Sequence, residues 1–503
     1  MPLFVSLILW VAAIGSGGDE PFSLTVLHTN DTHGRPLAFK RAGERVGGMA
    51  MRKWAVDRLR DRHGELLLVD AGDVCDGMPV SNLNKTEPDF VGMNLLGYDA
   101  MAVGNHEFSH DLDRIHELER MAGFPFLCAN VVKKATGVYP FKPYVILEHR
   151  GRRVALLGLV TGYLKKMTIT ERLAGLDLVD PLEAARKWIP LLAEKADHII
   201  VLSHCGYGFD RNVLAKKVEG IDLIVGGHSH SVLVEPERVG DTVVVQAGKH
   251  GLFLGMVTLH FAGKKLERLE GGLLPINFTP GDREQYLDIG PLEDDADLLA
   301  RLEPYRSRLS GQLNRVVGSV AAPRAGREEG WLDSPWGNLA ADSMLWASGA
   351  DCAITNMGGI RTELGPGAVT VEDVVSMLPF DNNVIVVELK GAVLLEALEH
   401  AVFIREERPR ASGAFSAIEV VVKPGSDSIE SVAVAGAALS ETRTYRVAVN
   451  SYMFQGGDRF DMLATNEGFD DLGFKYSDAL IRYLEEKKKV TPAADGRIRI
   501  SVD

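Results

Sequence analysis

The chain has 503 residues, too many for one ordinary hydrophobic core, and a share of roughly 150 residues per domain points to more than one domain. Hydrophobic content of 46% and charged content of 25% fit a globular protein, and no low-complexity run or obvious repeat appears. The formal net charge of −14 excludes the broad basic face that non-specific nucleic-acid binding needs, although bound cations can reverse the sign of a site locally.

The elements follow in chain order. Residues 2–14 form an apolar run, followed by the small residues Gly15 to Gly18 and then Asp19. Residues 1–18 read as a secretory signal peptide, which implies a periplasmic or secreted protein, although no Lys or Arg precedes the run. The run is short for a bilayer, and no other segment is long enough for a stable span. Candidate strands then fall at Leu24–Thr29, Leu66–Asp70, Met101–Val103, Val154–Leu159, His198–Leu202 and Asp222–Val225, with amphipathic helices at Met49–Leu59, Leu112–Met121 and Leu182–Lys195. This alternation predicts an α/β layered domain over 22–290. Around Val243–Phe261 the pattern turns to strands alone, which suggests a second sheet. A charged helical stretch, Glu293–Leu313, follows a loop with Pro280, Gly281 and Pro291, and 291–315 reads as a linker helix. A second α/β domain, 316–503, carries helices at Asn338–Ala347 and Ala392–Val402 and strands at Val384–Leu389, Ala417–Val422 and Tyr445–Asn450. Cys75, Cys128, Cys205 and Cys352 match no zinc or redox spacing and read as free thiols.

Polar clusters sit at the carboxyl ends of the first-half strands, the edge where open α/β sheets bind ligands. They are Asn30-Asp31-Thr32-His33-Gly34, Asp70-Ala71-Gly72-Asp73, Gly104-Asn105-His106-Glu107, Ser203-His204-Cys205-Gly206 and Gly226-Gly227-His228-Ser229-His230. A single histidine at a strand end is ordinarily a satisfied polar residue, and His28, His149, His198 and His260 are read that way. The clusters taken together instead point to a metal cage. Their Asp, His and Asn donors, with no thiolate, suit Zn, Mn, Co or Fe. Asp73 follows a glycine that lets the backbone approach closely, and a carboxylate there can bridge two cations. Two cations about 3.5–4 Å apart clamp the attacking and leaving oxygens of phosphoryl transfer.

This set resembles the 5′-nucleotidase family of the calcineurin-like metallophosphoesterases, over about Leu24 to Leu463. The resemblance implies a four-layer α/β/β/α metallophosphoesterase sandwich, a linker helix and a C-terminal α/β substrate-binding domain that rotates against the first. It implies two divalent metal ions, one held by Asp31, His33, Asp73 and His230, the other by Asp73, Asn105, His204 and His228. A metal-bound water or hydroxide would be the nucleophile, with His106 near the phosphate, stabilising the transition state or protonating the leaving alcohol. Family members usually read Gly-Asn-His-Glu-Phe-Asp, with the Asp orienting the histidine. Here the segment ends in Ser109, and Asp111 is the candidate substitute carboxylate.

The second half carries Asn356-Met357-Gly358-Gly359-Ile360-Arg361, glycines and an arginine after an apolar run, a pattern able to grip an anion. It resembles the family's Asn-Gly-Gly-Gly-Ile-Arg segment, and the match assigns Asn356, Gly359 and Arg361 to substrate contact. By the same resemblance Phe380 and Tyr452 sandwich a nucleobase and Asp458 accepts from ribose hydroxyls. Arg324 and Arg327 are candidates for a further phosphate contact. The expected substrate is a nucleoside 5′-monophosphate. The alternatives are a UDP-sugar or other nucleotide pyrophosphatase, a 2′,3′-cyclic nucleotide phosphodiesterase, a sulfur-oxidising thiohydrolase and, of a different class, a non-catalytic binder of nucleotide or metal.

Overall fold

The structure, a computed structural model, describes residues 21–501 except 42–43, 169, 281–282, 324–331, 381, 403, 406–407, 410–411 and 424–428. The signal-peptide segment, Arg324 and Arg327 lie outside the described residues.

Two six-stranded sheets build the first half. In spatial order the first contains Lys265–Pro275, Phe253–Ala262, Pro21–Thr29, Leu67–Asp70, Ala100–Ala102 and Phe126–Leu127. The second contains Glu237–Val239, Thr242–Val245, Leu223–Gly226, His198–His204, Arg152–Val160 and Tyr144–His149. The strands that carry the polar clusters run parallel within each sheet. Their carboxyl ends therefore share one edge.

Alternate residues explain the layering. Val69, Val154, Leu156, Ile200, Leu202 and Val225 pack between the sheets. Leu157, Ile199, Val201 and Ile224 point the other way, onto Ala185, Ile189 and Leu192 of the helix Pro181–Ala193. Leu68 and Met101 face residues from the helices Met49–His63, Glu87–Leu96 and Leu112–Ala122. The result is α/β/β/α. Strands buried on both faces read as continuous apolar runs, which is why they are visible in the sequence.

The strands around Val243–Phe261 do not form one separate sheet. Thr242–Val245 pairs in parallel with Leu223–Gly226, whereas Phe253–Ala262 pairs antiparallel with Pro21–Thr29, so consecutive strands close different sheets. The charged stretch forms a helix at Ala296–Ser307, and its Leu298 and Leu302 are fully buried in the core of the first domain. His28, His149 and His198 are buried, with His198 stacked on Phe22 at 5.1 Å, and burial pushes His28 down to about 3. The four cysteines are free, and Cys205 is less deeply buried than the other three.

The second half centres on a five-stranded sheet in the order Gly413–Ser416, Cys352–Asn356, Thr444–Asn450, Asn383–Lys390 and Gly468–Lys475. Helices Pro335–Ser348 and Tyr476–Lys487 cover one face, where Ala353, Val384 and Ala448 meet Met344 and Leu480. Helix Gly391–Ala401 covers the other with Leu394 and Leu398. Among the described residues, no helix is long and apolar enough to cross a membrane.

Candidate functional site

Asp31, His33, Asp73, Asn105, His204, His228 and His230 converge at the shared strand edge of the first domain. The loops that carry them are locked to one another: Asp31 N–H donates to Gly72 O at 2.9 Å, His33 N–H to Asp73 O at 3.0 Å and Gly34 N–H to Val74 O at 2.7 Å. Asp31, His33, Asp73, His228 and His230 all adopt positive φ, between 46° and 72°. Such conformations cost on the order of 1 kcal/mol each and persist where the surroundings over-determine them. Gly72 and Gly104 permit the close approach. A Cβ on Gly72 would lie 2.7 Å from Gly104 N, and one on Gly104 would lie 2.3 Å from Asp73 Oδ1.

Three groups of donor atoms result among the described residues: Asp31 with His33 and His230, Asp73 with His204 and His228, and, sharing one member with each, His33 with Asp73 and His106. Asp73 stands between the first two, its Oδ2 3.1 Å from His204 Nε2 and 3.9 Å from His33 Nε2. Asn105 Oδ1 lies 2.9 Å from His228 Nδ1. His33 gives its Nδ1–H to Cys75 O at 3.3 Å, and His204 gives its Nδ1–H to Ala71 O at 2.7 Å. Each then turns its Nε2 inward. His33 Nε2 meets His230 Nε2 at 3.1 Å, and His204 Nε2 meets a carboxylate oxygen. Imidazole nitrogens and carboxylate oxygens gathered this closely in a buried site are the donors that ligate divalent cations, so the donor set fits divalent metal ions. Electrostatics agree. Burial holds His33 well below its ordinary range and brings His228 down to about 4, so both are neutral donors. Burial also opposes charge on His204, but the Asp73 and Asp31 carboxylates override it and push it up to about 10, a proton standing where a cation would.

His106 lies beside this cage, its Nε2 3.9 Å from Asp73 Oδ2 and its N–H on Asp73 Oδ1 at 2.8 Å. Burial disfavours its charged form, but Asp73 and Asp76 outweigh burial and raise its pKa. The carboxylate at His106 Nδ1 is Asp76, at 2.8 Å, and not Asp111. Asp111 is the N-cap of helix Leu112–Ala122. Its Oδ1 accepts from Arg114 N at 2.9 Å and its Oδ2 lies 3.5 Å from Arg172, so its oxygens are turned to the helix end. Sequence reasoning also missed the part played by Glu107. Its buried carboxylate accepts from the N–H groups of Asp73, Val74, Cys75 and Gly104 at 2.6–3.1 Å, clamping two cage loops together.

The second domain reaches the same place. Asn82 Nδ2 donates to Pro379 O at 2.8 Å, and Phe380 stacks on His106 with centroids 5.7 Å apart and planes at 26°. Arg361 lies over the Phe380 ring at 5.7 Å. Its Nε and Nη2 are buried and find no hydrogen-bond partner among the described residues, and Asp73, Asp76 and Asp31 act on its charge. An unpartnered guanidinium edge facing the cage suits an anion. Farther out, Asp458 accepts from Asn356 Nδ2 at 2.7 Å and from the Tyr452 hydroxyl at 3.0 Å, with its own φ at 52°. The Tyr452 ring lies on Gly457, where a Cβ would come within 2.5 Å of it. Gly359 packs on Asn356, its Cβ position 3.1 Å from Asn356 Oδ1. The hydroxyl that distinguishes Tyr452 from a phenylalanine is thus tied to Asp458.

Known proteins carry the same plan. Residues 24–232 match the calcineurin-like phosphoesterase family and residues 316–465 the 5′-nucleotidase C-terminal domain. A 5′-nucleotidase of Vibrio cholerae is 32% identical over 94% of this chain and 92% of its own length. A 5′-nucleotidase precursor from Thermus thermophilus, of known structure, is 30% identical with a TM-score of 0.85, covering 96% of this chain and all of that one. The sulfate thiohydrolase SoxB from the same species shares the fold, with a TM-score of 0.78 over 95% of this chain and 97% of its own, at 20% identity.

A cage of carboxylates and imidazoles at the edge of an α/β/β/α sandwich, faced by an arginine, defines a metal-dependent phosphoester hydrolase. Within that class the chain belongs to the 5′-nucleotidase family, with a calcineurin-like phosphoesterase half and a 5′-nucleotidase C-terminal half.

Proposed function

We propose that this enzyme releases phosphate from nucleoside 5′-monophosphates at a centre for two divalent cations, exported to the periplasm or beyond. The cations, when bound, supply positive charge to the phosphoryl oxygens and an activated water. The chain's own residues do the rest. Asp31, His33, Asp73 and His230 hold one cation and Asp73, Asn105, His204 and His228 the other. Arg361 takes the phosphate oxygens with its free edge. His106 places Nε2 beside them, to stabilise charge or to hand a proton to the departing alcohol. Asp458, positioned by Asn356 and Tyr452, retains lone pairs for ribose hydroxyls, and Phe380 and Tyr452 offer ring faces to the base. Residues 22–290 carry the reaction and 316–503 hold the nucleoside, the stretch 291–315 being the place about which the halves part to exchange substrate and product.

The observation that carries this reading is the unpartnered edge of Arg361 beside the cage, delivered by the domain that also presents Tyr452 and Asp458. Phosphate release from AMP by protein loaded with Mn or Zn tests it, and a loaded enzyme that releases none from any nucleotide overturns it. Base stacking is tested separately at Tyr452, since Phe380 also touches His106. Each stacked base is worth about 1–3 kcal/mol. Tyr452→Ala should therefore raise KM for AMP about tenfold or more and leave KM for an aryl phosphate nearly unchanged, while Tyr452→Phe, which keeps the ring but frees Asp458, should raise KM for AMP by less than Tyr452→Ala does and stay near wild type on the aryl phosphate. Equal losses on the two substrates would argue against a base contact.

A further inference from the structure

The carboxylate that the family motif leads one to expect at position 109 is absent, and the structure holds another one where it would act. Ser109 ends the short 3-10 turn that His106 begins. Asp76 enters from a different loop, three residues beyond Asp73. Its Oδ2 accepts from His106 Nδ1 at 2.8 Å, and its Oδ1 accepts from the Ser109 hydroxyl at 3.0 Å. Both oxygens of one carboxylate are thus engaged by the two ends of the His106 turn. The Asp76 backbone is fixed in the left-handed region at φ 64°. Gly77 beside it cannot carry a side chain, because a Cβ would lie 1.7 Å from the His33 carbonyl oxygen. The N–H groups of Val74 and Cys75, just before it, are gripped by Glu107. Asp76 is therefore aimed by a loop with little freedom.

We propose that Asp76 is the positioning residue of His106, its carboxylate supplied by the Asp73 loop and not by the histidine's own turn, with Ser109 serving as its hydrogen-bond donor. The proposal rests on the reading that His106 acts on the phosphate or the leaving alcohol. By taking Nδ1–H, Asp76 fixes the ring so that Nε2 faces the cage, and it stabilises the imidazolium. When His106 acts as the acid, the Nε2 proton passes to the alkoxide oxygen as the P–O bond breaks. The imidazole is left neutral, with Nδ1–H still on Asp76. An amide at position 76 can present either a donor or an acceptor to Nδ1 and carries no charge, so both the tautomer and the cation lose support. The arrangement also ties the acid and the shared cage carboxylate, Asp73, to one rigid loop.

The test compares kcat and KM for AMP, metal content and melting temperature in H106A, D76N, D76S, S109D and the exchange variant D76S/S109D. The expected result is a kcat about a hundredfold lower in D76N and D76S with KM within about threefold of wild type and full metal content. D76S/S109D should regain at least about tenfold over D76S, a rescue that lost packing would not produce, and S109D alone should bring no gain, since the imidazole already has its carboxylate. D76N within about threefold of wild type, while H106A is severely impaired, overturns the role of Asp76 and leaves that of His106 standing. H106A close to wild type overturns the reading of His106 itself. Loss of metal from D76N assigns Asp76 to the cage and also overturns the proposal, as does an exchange variant no better than D76S.

Discussion

Asp73→Asn should nearly abolish turnover, lowering kcat/KM for AMP by on the order of a thousandfold or more, because it withdraws charge from both halves of the cage at once. Asp73 Oδ2 lies within 3.9 Å of donor nitrogens on His33, His106 and His204, and Oδ1 anchors the His106 backbone. Asp31 Oδ1 also reaches both donor groups, 3.5 Å from His230 Nε2 and 3.9 Å from His204 Nε2, but Asp73 comes closer to His204 and also holds the His106 backbone. The amide has the same shape, and the loop is held by other groups, so the fold should persist. Elemental analysis should find less than the wild-type metal content, and circular dichroism should be unchanged. A D73N protein that keeps all of its metal and more than about a tenth of its activity would contradict the shared-ligand role.

Glu107→Gln should produce the largest loss of stability. The buried carboxylate accepts from four backbone N–H groups, and the amide would turn an NH2 toward two of them. Hydrogen bonds to a charged acceptor contribute about 1.5–3 kcal/mol each, and an orphaned buried donor costs a comparable amount. A destabilisation of about 3–5 kcal/mol is expected in denaturant titration, together with weaker metal binding, since Asp73 and Gly104 lose their common anchor. A midpoint shift worth less than about 1 kcal/mol would show that the loops are held by other means.

Much of this molecule is legible in its sequence, for physical reasons. The inner strands are buried on both faces, so Val154–Leu159 and His198–Leu202 stand out as apolar runs and their polar ends can be aligned along one edge. The cage donors follow directly, because each lies within a few residues of such an end. What stays hidden depends on distant pairing. Asp76 precedes a glycine, as a turn residue does, and its partnership with His106 spans 30 positions. The one available signal is its place just after Asp73, in the loop that the cage must keep rigid. Asp111 is not the substitute carboxylate, and a local cue to its real role is present: it stands immediately before the predicted helix Leu112–Met121, where an aspartate caps the free N–H groups. Glu107 is visible as a letter of the motif, but its role as a clamp depends on the backbone geometry of the Asp73 loop. The strands Thr242–Val245 and Phe253–Ala262 show the same limit: their local pattern reveals strands, not which sheet each will join.

The central claim, a two-cation centre that hydrolyses nucleoside monophosphates, is tested most directly by titrating metal-stripped protein with Mn²⁺ while following phosphate release from AMP. Activity should rise steeply as the second equivalent per chain binds and level off there. Saturation of activity at one equivalent, or two bound equivalents with no release, would contradict it.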